Sequence, residues 1–326
     1  MENFKEKDFA ALLQDRIFNP EIIPNENLNL FKIQGKVIGS AESIVCISGL
    51  PKAYKSTLLA SVIATSICEH QIFECQINLP QDKNKIAYFD TESSQYDFYK
   101  QVKRICNFAG VNKITDNIFC YSFREDSPFA IKKMIEEYLK ANLDTSIIII
   151  DGILDLLIDY NDIKESRLLI NWLKKITKKY RILVITAIHL SKSNFSTTGT
   201  LGSNLDRYSQ SVLLVENNGQ GFTLSSKFMR SDINFNPINI INTGRGFEQI
   251  EVESKDEKIT LPKHISNHSW VQILNSYLIE DEFNYKELCA AIVEGTGRGL
   301  NFAKKSVIHL KVEKIIFKTK KGYSRR

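Results

Sequence analysis

One short stretch of this chain constrains its fold more than any other. Residues 44–48 form an apolar run, and Gly49 opens the loop that follows it. Lys55, Ser56 and Thr57 then begin a segment with an apolar helical face. This order predicts a buried strand, a tight loop and a helix, whose N-terminus points backbone N–H groups at an anion. We therefore expect a phosphate site in which Lys55 neutralises the anion and the Ser56 hydroxyl binds Mg²⁺.

The loop departs from the usual pattern of phosphate loops at one position. The pattern G-x-x-x-x-G-K-[ST] has a second glycine where this chain has Tyr54. A Cβ atom there restricts the backbone dihedral angles, and we expect it to crowd the phosphates. The alternative is a Lys-Ser-Thr helix start that binds no ligand. The predicted nucleotide-binding residues are Gly49, Leu50, Pro51, Lys52, Ala53, Tyr54, Lys55, Ser56 and Thr57.

Composition sets the broad class of the protein. The 326 residues suffice for one large domain and a small one, and 43% of them are hydrophobic. No apolar run approaches the roughly 20 residues of a membrane-spanning helix, and the charged start lacks an apolar signal core. The six cysteines are scattered without a C-x-x-C pair, and the five histidines form no ligand cluster with them, which argues against zinc. We expect a cytoplasmic protein with reduced thiols and no membrane association.

Positive charge is concentrated at the C-terminal end. The net charge is +5, but residues 298–326 contain seven Lys and three Arg against one acid, Glu313, which is +9. The rest of the chain has 33 basic and 37 acidic residues and is therefore −4. A localised basic segment predicts binding to nucleic acid or to another polyanion. The alternative is a frayed end that only improves solubility.

Strand and helix patterns alternate after residue 40. In the helix candidate 164–180, apolar residues recur on one stripe that includes Leu168, Leu169, Leu173 and Ile176. Alternating βα units predict an α/β fold with a mainly parallel central sheet. The strand candidates are 44–48, 86–90, 117–123, 146–151 and 182–189, and the other helix candidates are 55–70, 95–109 and 128–141.

The pattern changes after residue 190. The stretch 191–203 is rich in Ser, Thr and Gly and has no apolar periodicity, and β-like runs at 211–217 and 222–229 then predict a hairpin. A short helix is expected near 8–16. The predicted regions are an N-terminal segment at 1–40, the α/β core at 41–250, a charged linker at 251–264 and a small domain at 265–326.

Asp151 is the candidate metal ligand. It closes the continuous β-branched run 147–150, which is typical of a strand covered on both faces. A carboxylate at the end of a buried strand near a phosphate loop holds Mg²⁺ through water. Asp155 and Asp159 are alternative metal ligands, and a helix-capping role is the structural alternative for Asp151.

Glu92 and His189 are expected at the same edge of the sheet, because ligands in open α/β sheets gather at the carboxyl ends of the strands. Glu92 follows the strand 86–90, where a carboxylate can act as general base toward a γ-phosphate. Asp90 competes for that role. His189 ends its strand and could sense the γ-phosphate, or it could be an ordinary histidine at a strand end.

Lys227 and Arg230 follow the hairpin as two further cations. Positions three apart on a strand face opposite sides, so a bend or bulge is needed for both to reach one phosphate. Alone they are ordinary exposed cations. In a ring of copies they could reach a neighbour's γ-phosphate as fingers.

Together these pieces resemble the RecA-like P-loop ATPases, and more narrowly the RepA-type hexameric helicases and related AAA ATPases of plasmids and mobile elements. The resemblance covers about residues 30–245. It implies ATP hydrolysis with Mg²⁺, Lys55, Glu92 and Asp151 in catalytic roles, stretch 191–203 near a central channel, and a ring of identical chains such as a hexamer. The lysine that marks the ParA/MinD-type ATPases would fall at Leu50, which disfavours that subclass. The residues that carry the resemblance to the RecA-like ATPases are Gly49-x-Pro51-Lys52-x-x-Lys55-Ser56, Tyr88-Phe89-Asp90-Thr91-Glu92, 147–151, His189-Leu-Ser-Lys192, Gly199-Thr-Leu-Gly202-Ser203 and Lys227-x-x-Arg230.

The basic C-terminal segment resembles a winged-helix domain. Helix candidates at 285–292 and 301–312 are separated by a glycine-spaced turn, and a small hairpin turns at Lys321-Gly322. In such domains the second helix enters the major groove and the wing touches phosphates. A winged-helix module that binds protein is the alternative. The predicted DNA-binding residues are Lys304, Lys305 and Lys311 on the helix, with Val307, Ile308 and Leu310 facing inward, and Lys320 and Lys321 on the wing.

The sequence thus predicts an ATP-dependent DNA helicase or DNA-remodelling motor that binds DNA through its C-terminal domain. The first alternative is a DNA-binding regulatory protein that uses nucleotide as a switch with little turnover, which Tyr54 favours. The second is a docking module whose C-terminal segment binds protein.

Overall fold

The computed structural model describes residues 13, 14, 16–21, 27–68, 70–190, 199–250, 265, 267–278, 282–319 and 322–325. The chain divides into two compact units, Met1–Ile250 and Glu251–Arg326, each with its own apolar core. The helix expected near 8–16 falls mostly outside the described residues, and the expected linker 251–264 falls outside them altogether.

A nine-stranded mixed sheet forms the centre of the first unit, in the order β12-β11-β10-β9-β3-β8-β7-β5-β6. The six neighbouring strands β9, β3, β8, β7, β5 and β6 are parallel. Strands β10, β11 and β12 extend the sheet from β9, and each is antiparallel to its neighbours. The predicted α/β fold with a mainly parallel sheet is confirmed, and β9 and β10 form the predicted hairpin. The strands are β1 Asn29–Ile33, β2 Lys36–Ser40, β3 Ile44–Gly49, β4 Cys75–Ile77, β5 Lys85–Asp90, β6 Ile118–Ser122, β7 Thr145–Asp151, β8 Leu183–His189, β9 Ser211–Asn217, β10 Gly221–Met229, β11 Ile238–Asn242 and β12 Phe247–Ile250.

Helices cover both faces of this sheet. Helices α1 and α2 pack on one face together with the small antiparallel sheet β2-β1-β4, and α3, α4 and α5 pack on the other. In β7, Ile147 and Ile149 join the first core while Ile148 and Ile150 join the second, so the whole run is apolar. The helices are α1 Lys55–Thr65, α2 Gln95–Ala109, α3 Pro128–Ala141, α4 Ile163–Tyr180 and α5 Gly199–Tyr208.

Helix starts in this unit are specified locally. The Ser94 hydroxyl caps α2 by accepting the Asp97 N–H at 3.1 Å, and the Asp162 carboxylate caps α4 by accepting the Glu165 N–H at 2.7 Å. Such caps satisfy N–H groups that have no partner within the helix. In contrast, no side chain caps α1, whose N-cap residue is Tyr54. The first N–H groups of α1 are therefore available to a ligand. Helix α1 also ends at Thr65, five residues before the predicted end.

The stretch predicted to be irregular at 191–203 is helical in its second part. Residues 191–198 lie outside the described part of the chain, but α5 begins at Gly199. Leu201 and Leu205 are one helical turn apart and both are fully buried in the second core. Two apolar residues are too few to reveal a helical period in the sequence. They stabilise the helix because they pack against residues from other parts of the chain.

In the second unit, the residues that the structure describes form three helices and a three-stranded antiparallel sheet around one core. Gly297 (φ 67°) ends α7 in the left-handed conformation, and α8 starts three residues later. The sequence predicted α7, α8 and the final hairpin, and it did not predict α6 or β13. The elements are α6 Asn267–Tyr277, β13 Glu282–Phe283, α7 Tyr285–Thr296, α8 Leu300–Val312, β14 Ile316–Lys318 and β15 Tyr323–Arg325.

Among the described residues, every helix is too short or too polar to cross a lipid bilayer.

The apolar stripe predicted for α4 is correct except at Leu168. Leu169, Leu173 and Ile176 are buried, whereas 67% of the Leu168 surface is exposed. Leu173 and Leu168 lie in the same helix, so they differ mainly in burial. We expect Leu173→Ala to lower the free energy of unfolding by about 2–5 kcal/mol and Leu168→Ala to change it by about 0.5 kcal/mol or less. Urea unfolding followed by circular dichroism measures both. Equal losses would contradict the packing of α4.

Candidate phosphate-binding site

Four strands of the central sheet end at one edge and bring the predicted site residues together. In the parallel register Gly49 pairs with His189, and Asp90 pairs with Asp151. A cavity of about 400 Å³ opens at this edge. Gly49, Leu50 and Pro51 do not line it but shape the loop, where a Cβ on Gly49 would lie 2.5 Å from the Val215 carbonyl oxygen. The cavity is lined by Lys52, Ala53, Tyr54, Lys55, Ser56, Thr57, Glu92, Asp151, Leu154, Ala187, Ile188 and His189.

The Lys55 ammonium group is the buried cation of this cavity, since only 7% of the residue is exposed. Its Nζ lies 3.0 Å from the carbonyl oxygens of Gly49 and Leu50 and 3.0 Å from Nδ1 of His189. Burial lowers the pKa of Lys55, and the nearby charges of Asp151 and Glu92 raise it. The ammonium is thus held by two neutral carbonyls and an imidazole, and an anionic ligand would compensate its charge.

His189 connects Lys55 to Glu92. Because the Lys55 ammonium can only donate, Nδ1 of His189 accepts, and the ring proton is assigned to Nε2. Nε2 lies 3.6 Å from Oε2 of Glu92. The His189 imidazole is the main cause that lowers the pKa of Glu92, with a smaller contribution from Lys55, while burial raises it. Glu92 is therefore a carboxylate that faces the cavity and can accept a proton from water.

Asp151 and Ser56 line the same cavity. Burial raises the pKa of Asp151 to about 6, although hydrogen bonds from the Ser56 and Tyr88 hydroxyls oppose this. The Tyr88 hydroxyl donates to Oδ2 at 3.0 Å. A divalent cation would favour the carboxylate form of Asp151. In the described residues no group of three or more His, Cys, Asp or Glu could hold a metal. One carboxylate and one hydroxyl suit Mg²⁺, which keeps waters and takes phosphate oxygens.

The alternative acids have structural roles instead. Both Asp90 carboxylate oxygens accept hydrogen bonds from Ser93, at 2.7 and 2.8 Å, and the residue is 1% exposed. The Asp155 carboxylate accepts the Thr91 hydroxyl at 2.8 Å, and Asp159 accepts the N–H of Asn161 in an exposed turn. None of these three carboxylates lines the 400 Å³ cavity. Asp90 and Asp155 fix the segments that carry Glu92 and Asp151, whereas Asp159 stabilises its own turn.

Sequence reasoning missed the contact between Thr91 and Gly152. The Thr91 N–H donates to the Asp151 carbonyl at 3.1 Å, which ties the ends of β5 and β7 together, and the Thr91 hydroxyl oxygen lies 2.9 Å from the Gly152 carbonyl oxygen. Gly152 has φ 103°, and a Cβ there would lie 2.1 Å from the Thr91 hydroxyl oxygen. A glycine directly after Asp151 was the only signal in the sequence.

Tyr54 adopts the backbone conformation that a glycine would supply. Its φ of 67° lies in the left-handed region, which carries a penalty of about 1–2 kcal/mol for a residue with a Cβ. The ring centroid lies 5.7 Å from that of Phe222 and 5.6 Å from that of Phe247. These aromatic contacts offset the backbone strain. The expected crowding of the phosphates is reduced, because the ring packs into the first core.

Lys227 and Arg230 lie away from the cavity in their own chain. The Lys227 ammonium pairs with the Asp206 carboxylate of α5 at 2.8 Å. The Arg230 N–H donates to the Gln210 carbonyl, and the Gln210 N–H donates to the Ile44 carbonyl. Ile44 begins β3, so Arg230 lies at the edge of the sheet opposite the phosphate loop. The register shift between Ser226 and Phe228 supplies the bulge that the sequence required. Lys227 nevertheless contacts α5, whereas Arg230 lies beside the start of β3.

The predicted DNA-binding lysines of α8 lie on its solvent face. Lys304, Lys305 and Lys311 are exposed, and the Lys311 ammonium lies 4.6 Å from the centre of the Tyr323 ring. Ile308 was expected to face inward but is 61% exposed. Its position follows Lys304 by one helical turn, so it shares the lysine face. Lys320 and Lys321 fall outside the described residues.

No protein-family profile matches the chain, and no curated protein matches it.

The strain at Tyr54 can be measured with three variants. Tyr54→Ala and Tyr54→Gly lose the same ring contacts, but only glycine relieves the left-handed strain. We expect Tyr54→Gly to be about 1 kcal/mol more stable than Tyr54→Ala, the reverse of their order in a helix interior. Tyr54→Phe is the control that keeps the ring and should match the original chain. Urea midpoints decide, and a more stable alanine variant would rule out the strain.

Asp151 should make stability depend on pH. An unfolded aspartate titrates near ~3.9, whereas burial raises the pKa of folded Asp151 to about 6. Between these values the folded state binds a proton that the unfolded state lacks, so stability falls as pH rises from about 4 to about 6, by about 3 kcal/mol.

Asp151→Asn removes this loss. Without nucleotide or divalent cation, we expect the variant to be the more stable protein near pH 7 and its advantage to disappear near about pH 4. Urea unfolding across this range measures the difference, with Asp159→Asn as the exposed control. An unchanged pH dependence would show that Asp151 titrates normally.

Proposed function

We propose that this chain is a Mg²⁺-dependent ATPase that acts on DNA. The observation that carries the proposal is the buried Lys55 ammonium at an uncapped helix N-terminus, in a cavity that Ser56, Asp151, Glu92 and His189 also line. A cation, backbone donors, metal ligands and a carboxylate base are the parts that phosphoryl transfer to water requires.

In this proposal each residue has a defined task. The N–H groups at the start of α1 and the Lys55 ammonium bind the phosphates and stabilise the charge that develops during transfer. Ser56 and Asp151 would hold Mg²⁺, which neutralises phosphate charge when bound. Glu92 accepts a proton from water as the water oxygen bonds the γ-phosphorus and the bond to the bridging oxygen breaks, so ADP leaves.

His189 would report whether the γ-phosphate is present. A phosphate that draws the Lys55 ammonium toward itself weakens the 3.0 Å contact with Nδ1 of His189. The imidazole then reorients relative to Glu92, 3.6 Å away. His189 is the last residue of β8, so its reorientation would act on the end of that strand.

The remaining features support a DNA-linked motor rather than an isolated hydrolase. The exposed lysines of α8 offer cations to phosphates of duplex DNA. Lys227 and Arg230 cannot serve their own cavity, which favours a ring in which a neighbouring copy supplies the finger cations. We place the chain with the RecA-like ATPases, as a RepA-type helicase or DNA-remodelling motor of a plasmid or mobile element in the cytoplasm.

A nucleotide-switched DNA-binding regulator is the second candidate. The strained Tyr54 backbone and its aromatic anchors favour it, because a loop fixed in this way suits tight binding with slow turnover. Stimulation of steady-state ATP turnover by DNA supports the motor, and slow turnover that DNA leaves unchanged supports the regulator.

Glu92→Gln tests the hydrolytic part. We expect ATP turnover to fall by about 10²–10⁴-fold, because a neutral amide cannot accept the proton from water. ATP affinity should change by less than about twofold, whereas Lys55→Ala should abolish binding as well. Glu125→Gln, an exposed acid in a nearby turn, is the control. Normal turnover in Glu92→Gln would refute the base assignment.

A further inference from the structure

A second cavity of about 800 Å³ lies in the first unit, between α2, the segment before β4 and the β11–β12 turn. Its apolar lining includes Phe73, Phe108 and Phe247. Four permanent cations also line it, namely Lys100, Lys103, Arg104 and Arg245. We call this the cationic cavity. The proposed ATPase mechanism uses none of these side chains.

The charge of the cationic cavity is poorly compensated. Among the described residues that line it, Glu74 alone is acidic, and its carboxylate accepts a hydrogen bond from Gln249. Lys100 pairs with the exposed Asp97 at 2.6 Å, but in the described part of the chain no ion pair involves Lys103, Arg104 or Arg245. Burial lowers the pKa of Arg104, yet a guanidinium stays protonated. The cationic cavity therefore fits an anion.

Two exposed tyrosines extend this surface along α2. Tyr96 is 69% exposed and Tyr99 is 54% exposed, and their rings stack with centroids 6.5 Å apart. The Lys100 ammonium lies 4.9 Å from the Tyr96 ring centre, and that of Lys103 lies 5.8 Å from the Tyr99 ring centre. Solvent-facing rings interleaved with cations match unpaired bases and phosphates. A simple inorganic anion would leave the rings without a role, and a duplex keeps its base faces stacked inside.

Two chains of contacts join the cationic cavity to the phosphate loop. The Arg104 guanidinium donates to the Gln101 side chain, and Gln101 in turn donates to the carbonyl of Ser56. On the other side, the Phe247 ring lies 5.6 Å from Tyr54. The two chains reach the loop at the residues on either side of Lys55.

We propose that the cationic cavity, together with Tyr96 and Tyr99, binds single-stranded nucleic acid and that the bound strand stimulates ATP turnover through Gln101 and Tyr54. Bases stack on the tyrosines, and the phosphates pair with Lys103, Arg104 and Arg245. The stimulation rests on the proposed ATPase function, whereas strand binding does not depend on it.

The first experiment measures strand binding without nucleotide. A labelled oligo-dT is titrated by fluorescence anisotropy with the full-length chain carrying Lys304→Ala and Lys305→Ala, which reduces the contribution of α8. Adding Lys103→Ala and Arg245→Ala should weaken binding by about tenfold and reduce the log–log salt slope by about 1.4, or about 0.7 for each lost contact. Tyr99→Ala should weaken binding by at least about fivefold.

The matched control is Lys175→Ala with Lys178→Ala. It removes two exposed lysines from α4, which packs on the other face of the sheet, and should leave strand affinity unchanged. Equal losses in the control and in Lys103→Ala with Arg245→Ala would refute the proposal, as would polyglutamate competing as well as oligo-dT.

The second experiment separates this surface from the phosphate loop. Lys55→Ala should keep strand affinity, and Lys103→Ala with Arg245→Ala should keep ATP affinity within about twofold. If the latter variant loses ATP affinity while strand binding is unchanged, the cationic cavity belongs to the nucleoside of the phosphate-loop ligand and the proposal fails. Gln101→Met should keep strand affinity and reduce strand-stimulated turnover, because the contact of Phe247 with Tyr54 remains. Full stimulation in Gln101→Met would overturn the coupling through Gln101, and its circular dichroism spectrum checks the fold.

Discussion

The buried ammonium of Lys55 is the group on which the candidate site depends. It is held at 3.0 Å from two carbonyls of its own loop and from the His189 ring, and these partners meet because Gly49 and His189 are paired in the parallel register of β3 and β8. A cation removed from water without a carboxylate partner is unfavourable until an anion arrives. The sheet register therefore builds a cavity around an uncompensated cation, and the proposed phosphate ligand would supply the missing negative charge.

Asp151 and Tyr54 each carry a local energetic cost in this cavity. Burial raises the pKa of Asp151 to about 6, so its charged form is disfavoured in the absence of a cation. Tyr54 holds a left-handed backbone angle that its contacts with Phe222 and Phe247 compensate. Both features are local costs of a kind that concentrates at functional sites. Helix α1 also starts without a side-chain cap, and the proposed ligand would satisfy its first N–H groups.

The cations proposed to bind nucleic acid fall into two groups that differ in how they are assembled. Those of α8 follow each other within one helix and are visible as a basic segment in the sequence. The cations of the cationic cavity come from α2 and from Arg245, about 140 positions apart in the chain. Since the first unit as a whole is not basic, composition conceals this second surface, and only the folding of the β11–β12 turn against α2 assembles it.

The sequence alone determined the alternation of strands and helices, the position of Lys55 at a helix start, and the positions of Glu92, Asp151 and His189 at or just after strand ends. These features follow from local periodicity and from the rule that parallel strands share an edge for their carboxyl ends. The tertiary structure decided that Leu168 faces solvent while Leu169 is buried, that α5 is a helix, that Lys227 pairs with Asp206, and that the Tyr54 ring packs on Phe222. Each of these outcomes depends on a residue from another element of the chain. The two residues come into contact only when the helices have packed on both faces of the sheet.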